Sequence, residues 1–365
     1  MTINVWSYLD EFKEEKLEIE EAINSVLHSG QLILGPQVEA FEKEYATYCG
    51  SNHAVGVGNG TDAITIGLRA LGIGPGDEVI TVSNTAVPTV SGIIDTGATP
   101  RFVDINPETY LMDTNLLEEV INEKTKCILP VHLYGQCADM DKISEIANAH
   151  NLKIFEDCAQ AHGAFYKSRS AGTLGHASST SFYPTKILGT FGDGGMILTN
   201  EEEVMKKIRR LRFYGMEQQY FSLENGTNSR LDELHAAILR VKLRKLKYYI
   251  TQRQKIAARY DLALKDTSLC LPFKSSYNDH AYYVYVVAHP QRDEILEKLL
   301  TYDIRLNVSY RWPIHTMPPF KQFFAENENL PETEKAAAQI FSLPMYPSLK
   351  EEDQDRVIEV LQSIL

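Results

Sequence analysis

Short apolar runs alternate with amphipathic segments through the first two-thirds of this chain, and that alternation limits what it can fold into. Glu78-Val79-Ile80-Thr81-Val82, Arg101-Phe102-Val103-Asp104, Lys126-Cys127-Ile128-Leu129-Pro130-Val131 and Lys153-Ile154-Phe155 read as buried strands. Between and around them, residues 37–48, 115–122 and 140–150 carry helical patterns. Strands that alternate with helices need crossover connections, so the sheet is expected to be largely parallel and covered on both faces. In such sheets ligands gather beyond the carboxyl ends of the strands. The residues that directly follow the strands are therefore the first place to look for chemistry.

Residues 231–264 read as one long helix, or two end to end. Leu234, Ile238 and Val241 recur at i, i+4 and i+7, and neither Pro nor Gly interrupts them. Beyond it, a strand is expected over 280–287, a helix over 291–300, a strand over 304–306 and a closing helix over 351–364. The reading is a large α/β domain, residues 1–240, and a smaller α+β domain, residues 241–365.

Composition excludes several classes. A net charge of -13 leaves no basic footprint for nucleic acid, and the basic stretch 240–247 has the spacing of a solvated helix face. Five cysteines without CxxC spacing argue against a disulfide framework and against a zinc site, so no metal is expected. No run approaches the roughly 18 apolar residues of a spanning helix, and the first residues lack the pattern of a signal peptide. The expectation is a soluble, cytoplasmic protein without a membrane partner.

Three segments carry candidate chemistry. In Ser181-Phe182-Tyr183-Pro184-Thr185-Lys186, followed by Gly192-Asp193-Gly194-Gly195, a strand end leads into a turn that presents a lysine among apolar and small residues. In Glu156-Asp157-Cys158-Ala159-Gln160-Ala161-His162, an acid directly follows the Ile154-Phe155 strand, where it can serve as a helix N-cap or turn former, or steady a protonated pyridine nitrogen. In Gly58-Asn59-Gly60-Thr61-Asp62, small residues precede a helix whose free amides suit a phosphate. The glycines there do not meet the GxGxxG order of a dinucleotide site.

Taken in this order, the three segments resemble the sugar aminotransferases of the DegT/DnrJ/EryC1/StrS family, within the fold-type I pyridoxal-phosphate enzymes. Gly76-Asp77-Glu78-Val79-Ile80, Gly97-Ala98-Thr99-Pro100 and Val131-His132-Leu133-Tyr134-Gly135-Gln136 extend the resemblance over nearly the whole chain. It implies that pyridoxal 5'-phosphate attaches covalently to Lys186, which then moves protons, and that Asp157 pairs with the ring nitrogen. Gln160 would meet the ring hydroxyl, and Gly60, Thr61 and Ser181 would hold the phosphate. Asn228 would reach the phosphate of the neighbouring subunit, which makes a homodimer with shared active sites. Tyr183, Arg230, Tyr310 and His315 are implied on the substrate side, although His315 also reads as a structural histidine.

One departure stands out. Ala86 occupies a position where many members carry an aromatic residue that can stack on the coenzyme. The Asn228-Ser229-Arg230-Leu231-Asp232-Glu233 segment resembles enzymes that aminate C-3 of dTDP-linked 3-keto-6-deoxyhexoses, with an amino acid such as L-glutamate as donor. Enzymes acting at C-4 more often carry tyrosine where Ser229 stands, and helix packing is a competing explanation for that serine. The alternatives are a C-4 or UDP-sugar aminotransferase and a non-catalytic coenzyme-binding regulator. A related dehydratase would carry histidine in place of Lys186.

Overall fold

In the computed structural model, which describes residues 2–324 and 328–365, seven strands form the central sheet. In spatial order they are His53–Val57, Gly195–Thr199, Ala177–Ser181, Lys153–Asp157, Thr125–Ile128, Glu78–Val82 and Thr99–Val103. Gly195–Thr199 runs antiparallel to both of its neighbours, and the other pairings are parallel. The fold is therefore α/β with a mostly parallel sheet, as the alternation predicts.

The register brings several chain ends to one edge of this sheet. Gly195 pairs with both Val57 and Ser181, and Asp157 pairs with Ser179. The carboxyl ends of three strands and the start of a fourth thus converge. From Val57 a two-residue turn leads into the helix Gly60–Ala70. That helix lies close to the sheet because Gly67 has no side chain, and a Cβ there would sit 2.3 Å from the Phe155 ring.

The helical stretch expected over 231–264 is two helices, Glu233–Leu243 and Leu246–Leu264, broken at Arg244-Lys245. A second apolar core lies beyond the break, with Tyr260, Leu264, Tyr285, Leu299, Phe341 and Leu361 among its members. It is organised around the antiparallel pair Tyr285–Ala288 and Ile340–Leu343 and the helices Arg292–Thr301 and Glu351–Ile364. Ile3 also joins this core, and Ile3–Asn4 pairs with Ile304–Arg305. The N-terminus thus packs with the C-terminal region rather than with the sheet that follows it in sequence.

The helix expected over 115–122 shrinks to a single 3-10 turn, Leu117–Val120. Side chains compete for its backbone on both flanks. Asp113 accepts from the Asn115 amide (3.0 Å), and the Asn122 amide donates to Thr125 Oγ1 (3.0 Å). Among the described residues no helix is long and apolar enough to cross a membrane.

Candidate active site

A cavity of about 240 Å³ opens where the strand ends converge. Gly60, Thr61, Asp157, Gln160, Ser181, Tyr183 and Lys186 all line it, with Asn59, Ala86, Thr89, Ala159 and Asp193 among their neighbours. Three segments that lie far apart in sequence thus meet in one place.

At one end of the cavity is the N-terminus of Gly60–Ala70. Asn59 caps it, with its side chain accepting from the Asp62 amide (2.8 Å) and its carbonyl from the Ala63 amide (3.1 Å). The Gly60 and Thr61 amides have no partner among the described residues, as expected for the first donors of a helix. Ser181 stands across from them. A Cβ on Gly60 would fall 2.8 Å from the Ser181 Cβ, so any side chain at position 60 would fill the cradle. Free amides, a helix dipole and a hydroxyl around a small space suit a phosphate.

Asp157 is only 4% exposed. Thr89 Oγ1 donates to its Oδ2 (2.8 Å), Thr85 donates in turn to Thr89 (2.8 Å), and the Ala159 amide donates to Oδ1 (3.1 Å). No helix follows Asp157, so it is not an N-cap; it closes a strand and a turn. An oriented, buried carboxylate at this depth is what a protonated ring nitrogen requires.

Gln160 is held on both arms. Its Oε1 accepts from the Tyr134 amide (2.8 Å) and its Nε2 donates to the Tyr310 hydroxyl. One N–H of the amide remains for a ligand. Tyr310 does not line the cavity; it supports Gln160 and stacks on Tyr134 at 6.3 Å. Burial pushes its phenol well above the ordinary range.

Lys186 is half-buried rather than buried, because the cavity is open beside it. Its Nζ lies 4.7 Å from the centre of the Tyr283 ring, and the Tyr283 hydroxyl is 3.1 Å from Thr185 Oγ1. A cation over a tyrosine face is held by the ring's quadrupole. Behind the lysine, His162 is bonded to Thr180 (3.1 Å). Burial first, and then the charge of Lys186, pushes its pKa down to about 3. His162 therefore stays neutral at physiological pH.

Residues 13–362 match the DegT/DnrJ/EryC1/StrS aminotransferase family. The chain is a member of that family. It is 52% identical to a protein of Micromonospora megalomicea subsp. nigra named dTDP-3-amino-3,4,6-trideoxy-alpha-D-glucose transaminase, covering 100% of this chain and 99% of that one. It is 43% identical to a pleiotropic regulatory protein of Geobacillus stearothermophilus, over 98% of this chain and 97% of that one. The structure of S. venezuelae DesV in complex with a ketimine intermediate superposes with a TM-score of 0.97 at 40% identity, covering 99% of this chain and 98% of that chain.

The remaining candidate residues of this family aminotransferase lie outside the cavity. Asn228 is exposed, and Arg230 lies over Phe213 and Tyr214 at 5.4 and 5.9 Å from their centres. His315 is buried and engaged at every point. Its Nδ1 and amide bond Ser83 Oγ (2.8 and 3.0 Å), and its Nε2 bonds Glu334 (3.2 Å). In this structure His315 ties its loop to the sheet. Ser229 is also engaged, accepting from the Gly58 amide (2.9 Å) and donating to Asp62 (2.5 Å). It braces the turn before the phosphate cradle, and this accounts for a small hydroxyl residue without reference to substrate.

His132, Glu156 and Cys158 come within 4.8 Å of one another. Glu156 already accepts from His132 (2.9 Å) and from the amides of Gly172 (2.9 Å), Leu174 (2.8 Å) and Gly175 (2.7 Å). Its oxygens brace the loop behind the sheet and are committed there. Sequence patterns had singled out neither Thr89 nor Tyr283. Each touches its partner across a long separation, and neither falls in a glycine-rich or strand-end motif.

Proposed function

We propose that this protein transfers an amino group from an amino acid, L-glutamate in the first instance, to C-3 of a dTDP-linked 3-keto-6-deoxyhexose, with pyridoxal phosphate as coenzyme. The observation that carries this reading is the meeting of Lys186, Asp157 and the Gly60–Thr61 amides in one cavity. The 52% identity to a relative named for 3-amino-3,4,6-trideoxyglucose supports C-3 and makes the 4,6-dideoxy acceptor the first to assay.

When bound, the coenzyme supplies an electron sink for the bond-making carbon. Asp157, fixed by Thr89 and the Ala159 amide, holds a proton on the ring nitrogen. Gly60, Thr61 and Ser181 receive the phosphate. The free N–H of Gln160 would be available to the ring hydroxyl. Lys186 Nζ would hold the coenzyme, and its amine would move the proton at the reacting carbon. Ala86 lines the cavity, so no aromatic side chain at that position would stack on the ring. No metal is required by these roles.

The working unit in this reading is a homodimer with shared sites. Asn228 is exposed on the single chain, beside a hairpin that exposes Tyr220 at 89% and Phe221 at 59%. Exposed apolar groups clustered in this way mark a contact surface. A non-catalytic coenzyme-binding regulator would keep the same lysine, acid and phosphate cradle, so turnover in the assay below is what separates it from the enzyme.

The test is a coupled assay of purified protein with pyridoxal phosphate, L-glutamate and each of the dTDP- and UDP-linked 3-keto and 4-keto sugars. Formation of the 3-amino dTDP-sugar, lost on the order of 10⁴-fold in Lys186→Ala, is the expected result. Turnover of 4-keto or UDP substrates alone would overturn the substrate assignment, and turnover retained in Lys186→Ala would overturn the mechanism.

A further inference from the structure

Among the described residues Lys186 Nζ makes no hydrogen bond and no ion pair; what it touches is the Tyr283 ring, 4.7 Å away at the centroid. Asp157 and Asp193 line the same cavity, and neither pairs with it. His162, the remaining titratable group behind the lysine, is held neutral by burial and by the charge of Lys186.

Tyr283 is fixed at three points. Its amide donates to the Tyr134 carbonyl (3.0 Å), its carbonyl accepts from the buried Arg253 guanidinium (3.0 Å), and its hydroxyl is bonded to Thr185 Oγ1 (3.1 Å). The close approach depends on Gly135, which has a φ of 104° and where a Cβ would fall 2.9 Å from the Tyr283 nitrogen. The Tyr134 amide, one residue earlier, holds Gln160 (2.8 Å). One short segment thus seats both Gln160 and the ring beside the lysine. A ring held this firmly offers a fixed π-face, and an ammonium group is drawn to such a face by the quadrupole.

We infer that Tyr283 is a positioning residue: its ring holds the Lys186 side chain whenever the amine is free and carries a proton. The proton leaves the reacting carbon for Nζ and returns from Nζ to carbon, and Tyr283 gives and takes none. The ring keeps the ammonium at the cavity instead of letting it swing into solvent. This role rests on the coenzyme reading above and adds to it the group that serves the lysine between its two tasks.

Acetylation of the coenzyme-free protein tests it, because acetic anhydride reacts with the neutral amine and a ring that favours the ammonium slows the reaction. At pH 7, acetyl-Lys186 measured by peptide mass spectrometry should form about three- to tenfold faster in Tyr283→Leu than in wild type, with Tyr283→Phe within about twofold of wild type. The gain of Tyr283→Leu over Tyr283→Phe should narrow once pH passes about 10.4, where a free lysine is half neutral. The groups named above are common to all three proteins, so the comparison isolates the ring. Equal rates at pH 7, a Phe variant as fast as the Leu variant, or a gain of the same size at every pH, which means better access alone, would each refute the role and leave the coenzyme assignment standing. A crystal structure of the wild type with pyridoxamine 5'-phosphate, which has no aldehyde for the lysine, checks the same point without a substitution. Nζ should lie within about 6 Å of the Tyr283 centroid, and an Nζ turned to solvent would refute the role. A wild type that takes up no pyridoxamine phosphate would overturn the coenzyme reading and this inference with it.

Discussion

Around Asp157 the polar groups find their partners within the chain: Thr89 and the Ala159 amide serve the carboxylate, and Thr85 serves Thr89. Around Asn228 the same chain leaves an exposed asparagine next to exposed aromatic residues. The first region is built from strand ends and a helix N-terminus, which a parallel sheet brings together wherever its register is set. The second lies on surface loops. A single chain supplies most of the groups that would grip a coenzyme, while in the proposed dimer the Asn228 of a second copy adds a contact to its phosphate.

This contrast can be broken most directly at Asp157. Asp157→Asn keeps the shape but removes the charge, and turnover should fall on the order of 10³-fold while thermal stability changes little. A loss of less than tenfold, measured as kcat/KM with the amino donor, would mean that the inner region does not work as described.

Asn228→Ala should weaken coenzyme affinity about tenfold, as expected for one lost bond to a charged group. Mixing its subunits with those of Lys186→Ala is more informative. Sites that draw Asn228 from the neighbour regain wild-type coenzyme affinity in mixed dimers, whereas an asparagine acting within its own chain gives no recovery.

His315 ties its loop to the sheet at Ser83. His315→Ala should cost about 1–3 kcal/mol of stability in urea denaturation, because the buried Ser83 hydroxyl loses its ring partner and keeps only the backbone amide of position 315. Its kcat should remain within about twofold of wild type. A large loss of kcat with stability intact would return His315 to the chemistry.

The smallest effect concerns pH. Burial first, then the charge of Lys274, pushes the pKa of His280 down to about 3, as burial and Lys186 do for His162. In the unfolded chain both titrate near 6.5. Above that pH neither costs the fold anything. As pH falls from about 6.5 towards 3 the unfolded state takes up protons that the folded state refuses, so stability drops by about 1.4 kcal/mol per pH unit for each histidine. His280→Asn should flatten the slope of stability against pH by that amount between about pH 6 and 4, and an unchanged slope would show that His280 is not held neutral.

Much of the inner region was legible in the sequence because it follows local rules. Asp157 and Ser181 each close a strand, Lys186 follows Ser181 by a short turn, and Gly60-Thr61 opens a helix. What escaped depends on distant pairing. Thr89 reaches Asp157 across 68 positions and Tyr283 reaches Thr185, next to Lys186, across 98, so no window of sequence contains either contact. The packing of Ile3 and the seating of Trp6 against that core were hidden for the same reason. Ser229 was legible as a small residue, but its bonds to Gly58 and Asp62 were not, and they give it a supporting role.

The central claim is that Lys186 is the amine to which the coenzyme attaches. Purified protein incubated with pyridoxal phosphate, reduced with borohydride and digested should yield one peptide bearing the phosphopyridoxyl mass, with Lys186 as the modified residue. A label on a different lysine, or none at all, would contradict the account.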